Sequence, residues 1–204
     1  MSFNIESLKI IVGGPGGTGS TSVAQFLAQS FNLYYIYGGQ IMRKFAKEQG
    51  FKELADFFHD PDAQKIDWDE KVENEIRHQL LTRERIVVEG KVWAGIATLE
   101  GISVDFKVWI TADFKTRVRR LLERKHGIPL AKNLTKAEQK IFRKEATLLK
   151  KRYQSDKKRY WEKYRVRYDR PALYNDLVLD TTNIPLEKVK EIVLEGVKKK
   201  VGIV

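Results

Sequence analysis

The chain has 204 residues, a formal net charge of +11 at pH 7 and no cysteine. Its length suffices for one domain with a stable core, and the lack of cysteine excludes disulfide bonds and thiolate metal sites. With no long apolar stretch to span a bilayer and no signal-peptide pattern, we expect a cytoplasmic protein, and its charge indicates an anionic partner.

Short apolar runs typical of buried strands alternate with helical patterns along the chain. The apolar runs are residues 8–12, 33–37, 85–89, 106–110 and 177–180. The helical patterns cover about residues 20–31, 39–49, 51–59, 62–82, 92–98, 113–126, 135–164 and 185–200. This alternation predicts an α/β protein, with a five-stranded parallel sheet covered by helices on both faces.

A glycine-rich segment, Gly14 to Thr21, connects the first predicted strand to the first helix. Strand, glycine-rich turn and helix N-terminus form the layout of a phosphate-binding loop, whose consensus is G-x-x-x-x-G-K-[ST]. Ser20 replaces the lysine of that consensus, so the missing positive charge must come from elsewhere. The residues predicted to bind a polyphosphate nucleotide here are Gly14, Gly16, Gly17, Thr18, Gly19, Ser20 and Thr21.

Two segments interrupt the alternation of strands and helices. Residues 39–82 hold three helical stretches between the second and third strands, and residues 127–170 hold a long charged helix. The apolar positions of the long helix are too sparse for a deep core, so we expect it to cover a cleft or project into solvent. A core with two such insertions suits a phosphotransferase that closes over two substrates.

Two groups of charged residues have the spacing of one helix face. The groups are Arg117, Arg120 and Arg124 after the fourth strand, and Arg152, Asp156 and Arg159 on the long helix. The first spacing is equally compatible with a solvated basic face. The second spacing, taken alone, favours an exposed Arg–Asp ion pair worth a few tenths of a kcal/mol.

In their order and spacing, these motifs resemble the archaeal type of cytidylate kinase, within the nucleoside monophosphate kinases. The matching segments are the glycine-rich loop and residues 34–43, 87–90, 152–159 and 176–181, so the resemblance covers nearly the whole chain. It implies a single three-layer P-loop kinase domain that transfers the γ-phosphoryl group of MgATP to CMP or dCMP. Members of that group often carry threonine in place of the loop lysine, which makes the hydroxyl of Ser20 compatible with activity.

The resemblance also divides the domain. It implies a core of residues 1–38, 83–126 and 171–204, an acceptor-binding region of residues 39–82, and a lid with the long helix over residues 127–170. The substrates are then small nucleotides, with ATP and Mg²⁺ as donor and metal. The sequence does not predict the oligomeric state.

The resemblance assigns roles to individual side chains. Acceptor binding is implied for Arg43, Lys91, Arg152, Asp156 and Arg159. Catalytic charge during transfer is implied for Arg117, Arg120 and Arg124. Thr182 is expected beside the donor base, and Thr21 and Glu89 are expected at the magnesium ion. Lys91 stands where the family often has arginine, and the turn at Tyr37-Gly38 departs from the serine or aspartate of bacterial relatives.

Other functions remain open at this point. Ser20, Lys91 and the altered turn at Tyr37 would also fit a catalytically silent protein that binds nucleotide, and a kinase acting on AMP or UMP has the same motifs. The basic residues from Lys188 to Lys200 raise RNA binding as a third alternative. A solvated helix face is the simpler interpretation of that run, and no nucleic-acid-binding motif accompanies it.

Overall fold

The computed structural model describes residues 6–52, 54–130 and 133–203. Its strands are β1 (Leu8–Gly13), β2 (Tyr34–Tyr37), β3 (Arg85–Glu89), β4 (Phe106–Thr111) and β5 (Leu177–Asp180). They form one sheet in the order β2-β3-β1-β4-β5, and every neighbouring pair is parallel. The predicted five-stranded parallel sheet is therefore confirmed.

The helices of the described residues lie close to the predicted ranges. They are α1 (Ser20–Phe31), α2 (Gly38–Glu48), α3 (Leu54–His59), α4 (Trp68–Thr82), α5 (Trp93–Leu99), α6 (Phe114–His126), α7 (Lys136–Tyr164) and α8 (Leu186–Val201). The predicted helix over 51–59 includes residue 53, and the predicted lid includes residues 131 and 132, which lie outside the described part of the chain.

One predicted helix boundary is wrong. The helix expected over 62–82 is divided, because a short 3-10 turn, Ala63–Lys65, precedes α4. The side chain of Asp67 then caps α4 by accepting a hydrogen bond from the backbone N–H of Glu70 at 3.1 Å. Helix α8 begins near Pro185 as predicted, with Pro185 itself as the N-cap residue.

Both faces of the sheet are buried, which gives the protein three layers. On the central strand β1, Ile10 and Val12 pack in a core with residues of α1 and α8. Ile11, which points to the opposite face, packs in a second core with α4 and α5. The three central strands are apolar almost throughout because both of their faces are covered, whereas the edge strands β2 and β5 are partly exposed. In the described part of the chain, no helix is long and apolar enough to span a bilayer.

The long helix α7 packs against its own domain. It begins with a capping box between Thr135 and Glu138 and then lies along α6, where Leu149 joins an apolar cluster. Further along, Tyr160 is buried in the same core as Ile11. The apolar positions of this helix are sparse, as predicted, but Tyr160 is a buried core residue among them. The other expectation, that it covers a cleft, agrees with the position of Arg152 at the edge of one.

The strand order leaves a crevice between β1 and β3. The connection after β1 leads to β2, and the connection after β3 leads to β4. These two connections therefore run in opposite directions along the sheet. In open parallel sheets, ligands bind at such a point, outside the carboxyl ends of the strands. The backbone N–H of Gly90 donates to the carbonyl of Val12 at 3.1 Å, so the segments that follow both strands start side by side. This crevice positions the candidate site.

Candidate active site

The glycine-rich loop closes tightly against α6. Gly17 has φ +86°, and a Cβ atom at this position would lie 2.6 Å from the carbonyl oxygen of Arg117. Thr18 is buried and donates its hydroxyl to the carbonyl of Pro15 at 2.9 Å. Helix α1 begins at Ser20 directly after Gly19. Because the first N–H groups of a helix lack partners within that helix, this turn presents donors to an anion.

We expect Gly17→Ala to destabilise the protein by roughly 2–4 kcal/mol, because the new methyl group meets backbone that cannot rotate away. Gly50→Ala is the matched control, since Gly50 also has φ +86° but its Cβ would meet no described atom within 4 Å. The control variant therefore incurs only the left-handed strain, about 1 kcal/mol. Urea unfolding of both variants measures the difference. Equal losses would contradict close packing at Gly17.

Two of the predicted catalytic arginines bind the loop directly from α6. The Nε atom of Arg117 donates to the carbonyl of Gly16 at 2.9 Å. Arg120 donates from Nη1 to the Thr18 carbonyl at 3.2 Å and to the Thr181 hydroxyl at 2.9 Å, and from Nη2 to the Thr181 carbonyl at 2.7 Å. These arginines lie on a core helix, so no lid movement is needed to bring them to the loop.

These two guanidinium groups contact the loop that carries Ser20 at the lysine position of the consensus. Burial lowers the pKa of Arg117 and of Arg120, but arginine remains charged in proteins at neutral pH. One Nη atom of Arg117 is buried and has no hydrogen-bond partner among the described residues. Positive charge thus lies against the loop although Ser20 carries none. Arg124, the third predicted arginine, is exposed at a neighbouring cleft.

The two residues expected at magnesium lie together. Glu89 Oε1 accepts hydrogen bonds from the Thr21 hydroxyl at 2.6 Å and from the Ser20 hydroxyl at 3.3 Å. Its Oε2 atom accepts from the Tyr35 hydroxyl at 2.5 Å, and burial together with this carboxylate raises the pKa of Tyr35. Hydroxyl and carboxylate oxygens are hard ligands of the kind Mg²⁺ prefers.

The small number of these oxygen ligands also suits Mg²⁺. Among the described residues, no group of three or more His, Cys, Asp or Glu side chains is arranged to hold a metal. Magnesium in nucleotide sites usually keeps several waters and binds substrate phosphates with one or two protein oxygens. Thr21 and Glu89 fit that pattern.

The acid of the long helix joins two cations from different parts of the chain. Lys91, just after β3, forms an ion pair with Oδ2 of Asp156, whose side chain is 7 % exposed. Arg159 donates to Oδ1 of the same carboxylate at 2.9 Å and approaches Asp69 at 3.3 Å. Burial lowers the pKa of Lys91, while the charge of Asp156 acts in the opposite direction. Three predicted acceptor residues therefore form one network around a buried carboxylate.

Two clefts open on either side of the glycine-rich loop. The small cleft, about 430 Å³, lies between the loop, Tyr37-Gly38, α4 and Lys91, and its basic residues include Arg124, Arg152 and Arg159. The large cleft, about 1340 Å³, lies between the loop, α6, the start of α7 and the turn after β5. Gly19, Ser22 and Arg120 line both clefts. The loop and Arg120 thus form a wall shared by two binding spaces.

The remaining predicted residues lie at the edges. Thr182 lines the large cleft, where its hydroxyl donates to Asp180 at 2.6 Å and accepts from the backbone N–H of Asp113 at 2.8 Å. Arg43 lies 5.3 Å from the ring centre of Tyr37 and donates to its hydroxyl. Within the described residues, Arg43 is not part of the small-cleft lining, so the structure does not bring it to the other acceptor residues.

The small cleft is also lined by Glu73, Trp93 and Tyr160, for which no functional role was predicted from the sequence. Trp93 and Tyr160 are almost fully buried in the core. The Oε2 atom of Glu73 is buried and has no hydrogen-bond partner among the described residues. A signal was present in the sequence, because Glu73 interrupts the apolar stripe that includes Val72 and Ile76 on α4.

The sequence is similar to curated proteins over almost its whole length. A family profile described as "AAA domain" matches residues 12–140. The cytidylate kinase of Methanocaldococcus jannaschii is 31 % identical over 188 residues, which cover 92 % of this chain and 96 % of that protein. The cytidylate kinase of Archaeoglobus fulgidus is 28 % identical over 193 residues, covering 95 % and 96 % of the two chains.

Solved structures share the architecture at much lower identity. Shikimate kinase from Bacteroides thetaiotaomicron superposes with a TM-score of 0.60 at 12 % identity, covering 96 % of this chain and 99 % of that one. An uncharacterized protein from Eubacterium ventriosum gives a TM-score of 0.65 at 16 % identity, with coverages of 94 % and 98 %. These similarities confirm the three-layer P-loop kinase fold. Together with the identity shared along the whole chain with the archaeal proteins, they confirm the predicted resemblance: the chain belongs to the cytidylate kinase family.

Proposed function

We propose that the protein transfers the γ-phosphoryl group of MgATP to CMP or dCMP. The observation that carries this proposal is the pair of clefts that share the glycine-rich loop and Arg120 as a common wall. Two nucleotides bound in these clefts would meet with their phosphates at that wall, which is the arrangement needed for direct transfer. The substrates are then small nucleotides, and the cytoplasm is the expected location.

The donor nucleotide is assigned to the large cleft. Its phosphates would lie against the N–H groups of the loop and the first turn of α1, where the helix dipole favours negative charge. Beyond the phosphates, apolar side chains such as Phe142, Ile184 and Leu186 line the cleft, beside Thr182. Flat apolar walls with a few polar groups suit a nucleotide base.

The acceptor nucleotide is assigned to the small cleft. Lys91, Arg152 and Arg159 line it and would hold the monophosphate, with guanidinium forks suited to two phosphate oxygens. Asp156 acts on these cations by fixing Lys91 and Arg159 in place. Arg43 would join the site only if α2 moved toward the core when the acceptor binds.

Transfer in this site needs charge and alignment more than proton chemistry. The attacking oxygen belongs to a phosphate monoester that is already anionic near neutral pH, so no general base is required. Arg117, Arg120 and Arg124 would stabilise the negative charge of the transferring group. Thr21 and Glu89 would hold Mg²⁺, which neutralises charge on the donor phosphates when bound.

A coupled assay with MgATP and CMP, dCMP, UMP or AMP tests the proposal. We expect CMP and dCMP to be phosphorylated with the highest kcat/KM, and turnover to stop when a chelator removes Mg²⁺. The silent alternative makes a different prediction, namely ATP binding without turnover in the wild type and activity gained by Ser20→Lys. That pair of results, or the absence of turnover with every monophosphate, would overturn the kinase function.

A further inference from the structure

Three carboxylates lie in or beside the small cleft, and two of them are fully engaged. Glu89 accepts hydrogen bonds from Ser20, Thr21 and Tyr35. Asp156 is neutralised by Lys91 and Arg159. Glu73 differs, because its buried Oε2 atom has no hydrogen-bond partner among the described residues. A buried polar atom without a partner is costly, so its presence in a binding cleft calls for an explanation.

The surroundings of Glu73 are those of a base rather than of a phosphate. The small cleft is lined on this side by Glu73, by its α4 neighbours Val72 and Ile76, and by the ring of Trp93. Most of the cations that suit a phosphate, Lys91, Arg124 and Arg152, come from other elements of the wall, while Arg159 of α7 also faces Glu73. A monophosphate nucleotide held by those cations would place its base toward the apolar wall that carries Glu73.

Burial sets the ionisation of this carboxyl. It raises the pKa of Glu73 to about 7, against a smaller lowering by the nearby indole N–H of Trp93, which is buried and makes no hydrogen bond of normal geometry with the described residues. The charged and titratable groups that face Glu73 are Asp69, Arg77, Arg159, Tyr160 and Tyr164. Near neutral pH, therefore, the group changes from a neutral acid that donates and accepts to a carboxylate that only accepts.

We propose that Glu73 determines the choice of acceptor base by accepting a hydrogen bond from the exocyclic amino group of cytosine. Uracil has a carbonyl oxygen at the same ring position. Because this oxygen and the carboxylate can both only accept hydrogen bonds, they would repel each other. The inference rests on the proposed function and adds the group that distinguishes CMP from UMP. Since only the ionised carboxylate excludes uracil, discrimination should increase as the pH rises through the pKa of Glu73.

The test compares kcat/KM for CMP and UMP in the wild type, in Glu73→Gln and in Glu75→Gln. Glu75 lies on the same helix, outside the small-cleft lining, and its bond to Gln79 at 3.0 Å can be kept by an amide oxygen. In Glu73→Gln we expect the CMP-to-UMP ratio to fall about tenfold or more, because an amide can turn its N–H toward uracil. The ratio should be unchanged in Glu75→Gln.

The pH dependence of the wild type provides a second measurement that requires no variant. Both substrates carry the same phosphate, so its titration cancels in their ratio. We expect the wild-type ratio to rise between about pH 6 and about pH 8 and the Glu73→Gln ratio to stay flat. A flat wild-type ratio with an unchanged variant would overturn the role of Glu73 while CMP turnover persists. Absence of turnover with both substrates would instead overturn the proposed function.

Discussion

Asp156→Ala should lower kcat/KM for CMP by about 10²–10³ and destabilise the protein by about 3–5 kcal/mol. The substitution leaves Lys91 partly buried without its carboxylate partner, with its side chain only 19 % exposed. Arg159 loses the bond that orients it, and the two cations then repel each other. Because both are assigned to the acceptor phosphate, misplaced cations should weaken CMP binding and disturb its alignment together.

An exposed ion pair between α7 and the segment that follows it provides the control. Asp169 pairs with Lys157 at 2.7 Å, but the lysine side chain is 46 % exposed. Asp169→Ala should therefore cost less than about 1 kcal/mol and leave turnover unchanged. Urea unfolding and the coupled assay measure both quantities in the two variants. If Asp156→Ala behaves like Asp169→Ala, the network around Asp156 has neither of the roles assigned to it.

The second large effect is expected for Arg120→Ala, with a fall in kcat of about 10²–10³. This side chain links the loop carbonyl of Thr18 to Thr181 beside the large cleft, and it lines both clefts. Its loss removes positive charge from the wall where the two nucleotides meet, and it also frees the loop from the turn after β5. The KM for CMP should change less than kcat, because the charge acts mainly on the transferring group.

Two further variants separate charge from position. Arg143 is exposed on α7, so Arg143→Ala removes a similar charge away from both clefts and should leave kcat unchanged. Adding Ser20→Lys to Arg120→Ala places an ammonium at the consensus position of the loop. If Arg120 supplies the charge that Ser20 lacks, the double variant should recover about tenfold or more in kcat. Loss of kcat without any recovery would assign Arg120 to loop positioning alone, and no loss would overturn its role.

Local features of the sequence were sufficient to predict the architecture. The spacing of apolar residues differs between strands and helices. It therefore predicted the bounds of all five strands to within a residue or two. Gly17 has a positive φ and lies against the backbone of Arg117, so only glycine fits there without strain. Because this requirement is met by one residue type, the loop motif can be recognised in the sequence. The family resemblance added expected roles for distant side chains, with Arg120 supplying charge during transfer and Asp156 binding the acceptor.

Tertiary structure decided how the charges are used. The contact of Arg117 with the loop joins residues 101 positions apart, and that of Lys91 with Asp156 joins residues 65 apart. Spacing along a helix shows which side chains share a face but not what that face meets. The sequence alone thus determined the sheet, the loop and the identity of the charged residues, because these depend on neighbours in the chain. Only the packing of α4, α6 and α7 on the sheet decided that Arg120 contacts the loop and that Arg43 stays apart. The same packing leaves one Glu73 oxygen without a hydrogen-bond partner among the described residues.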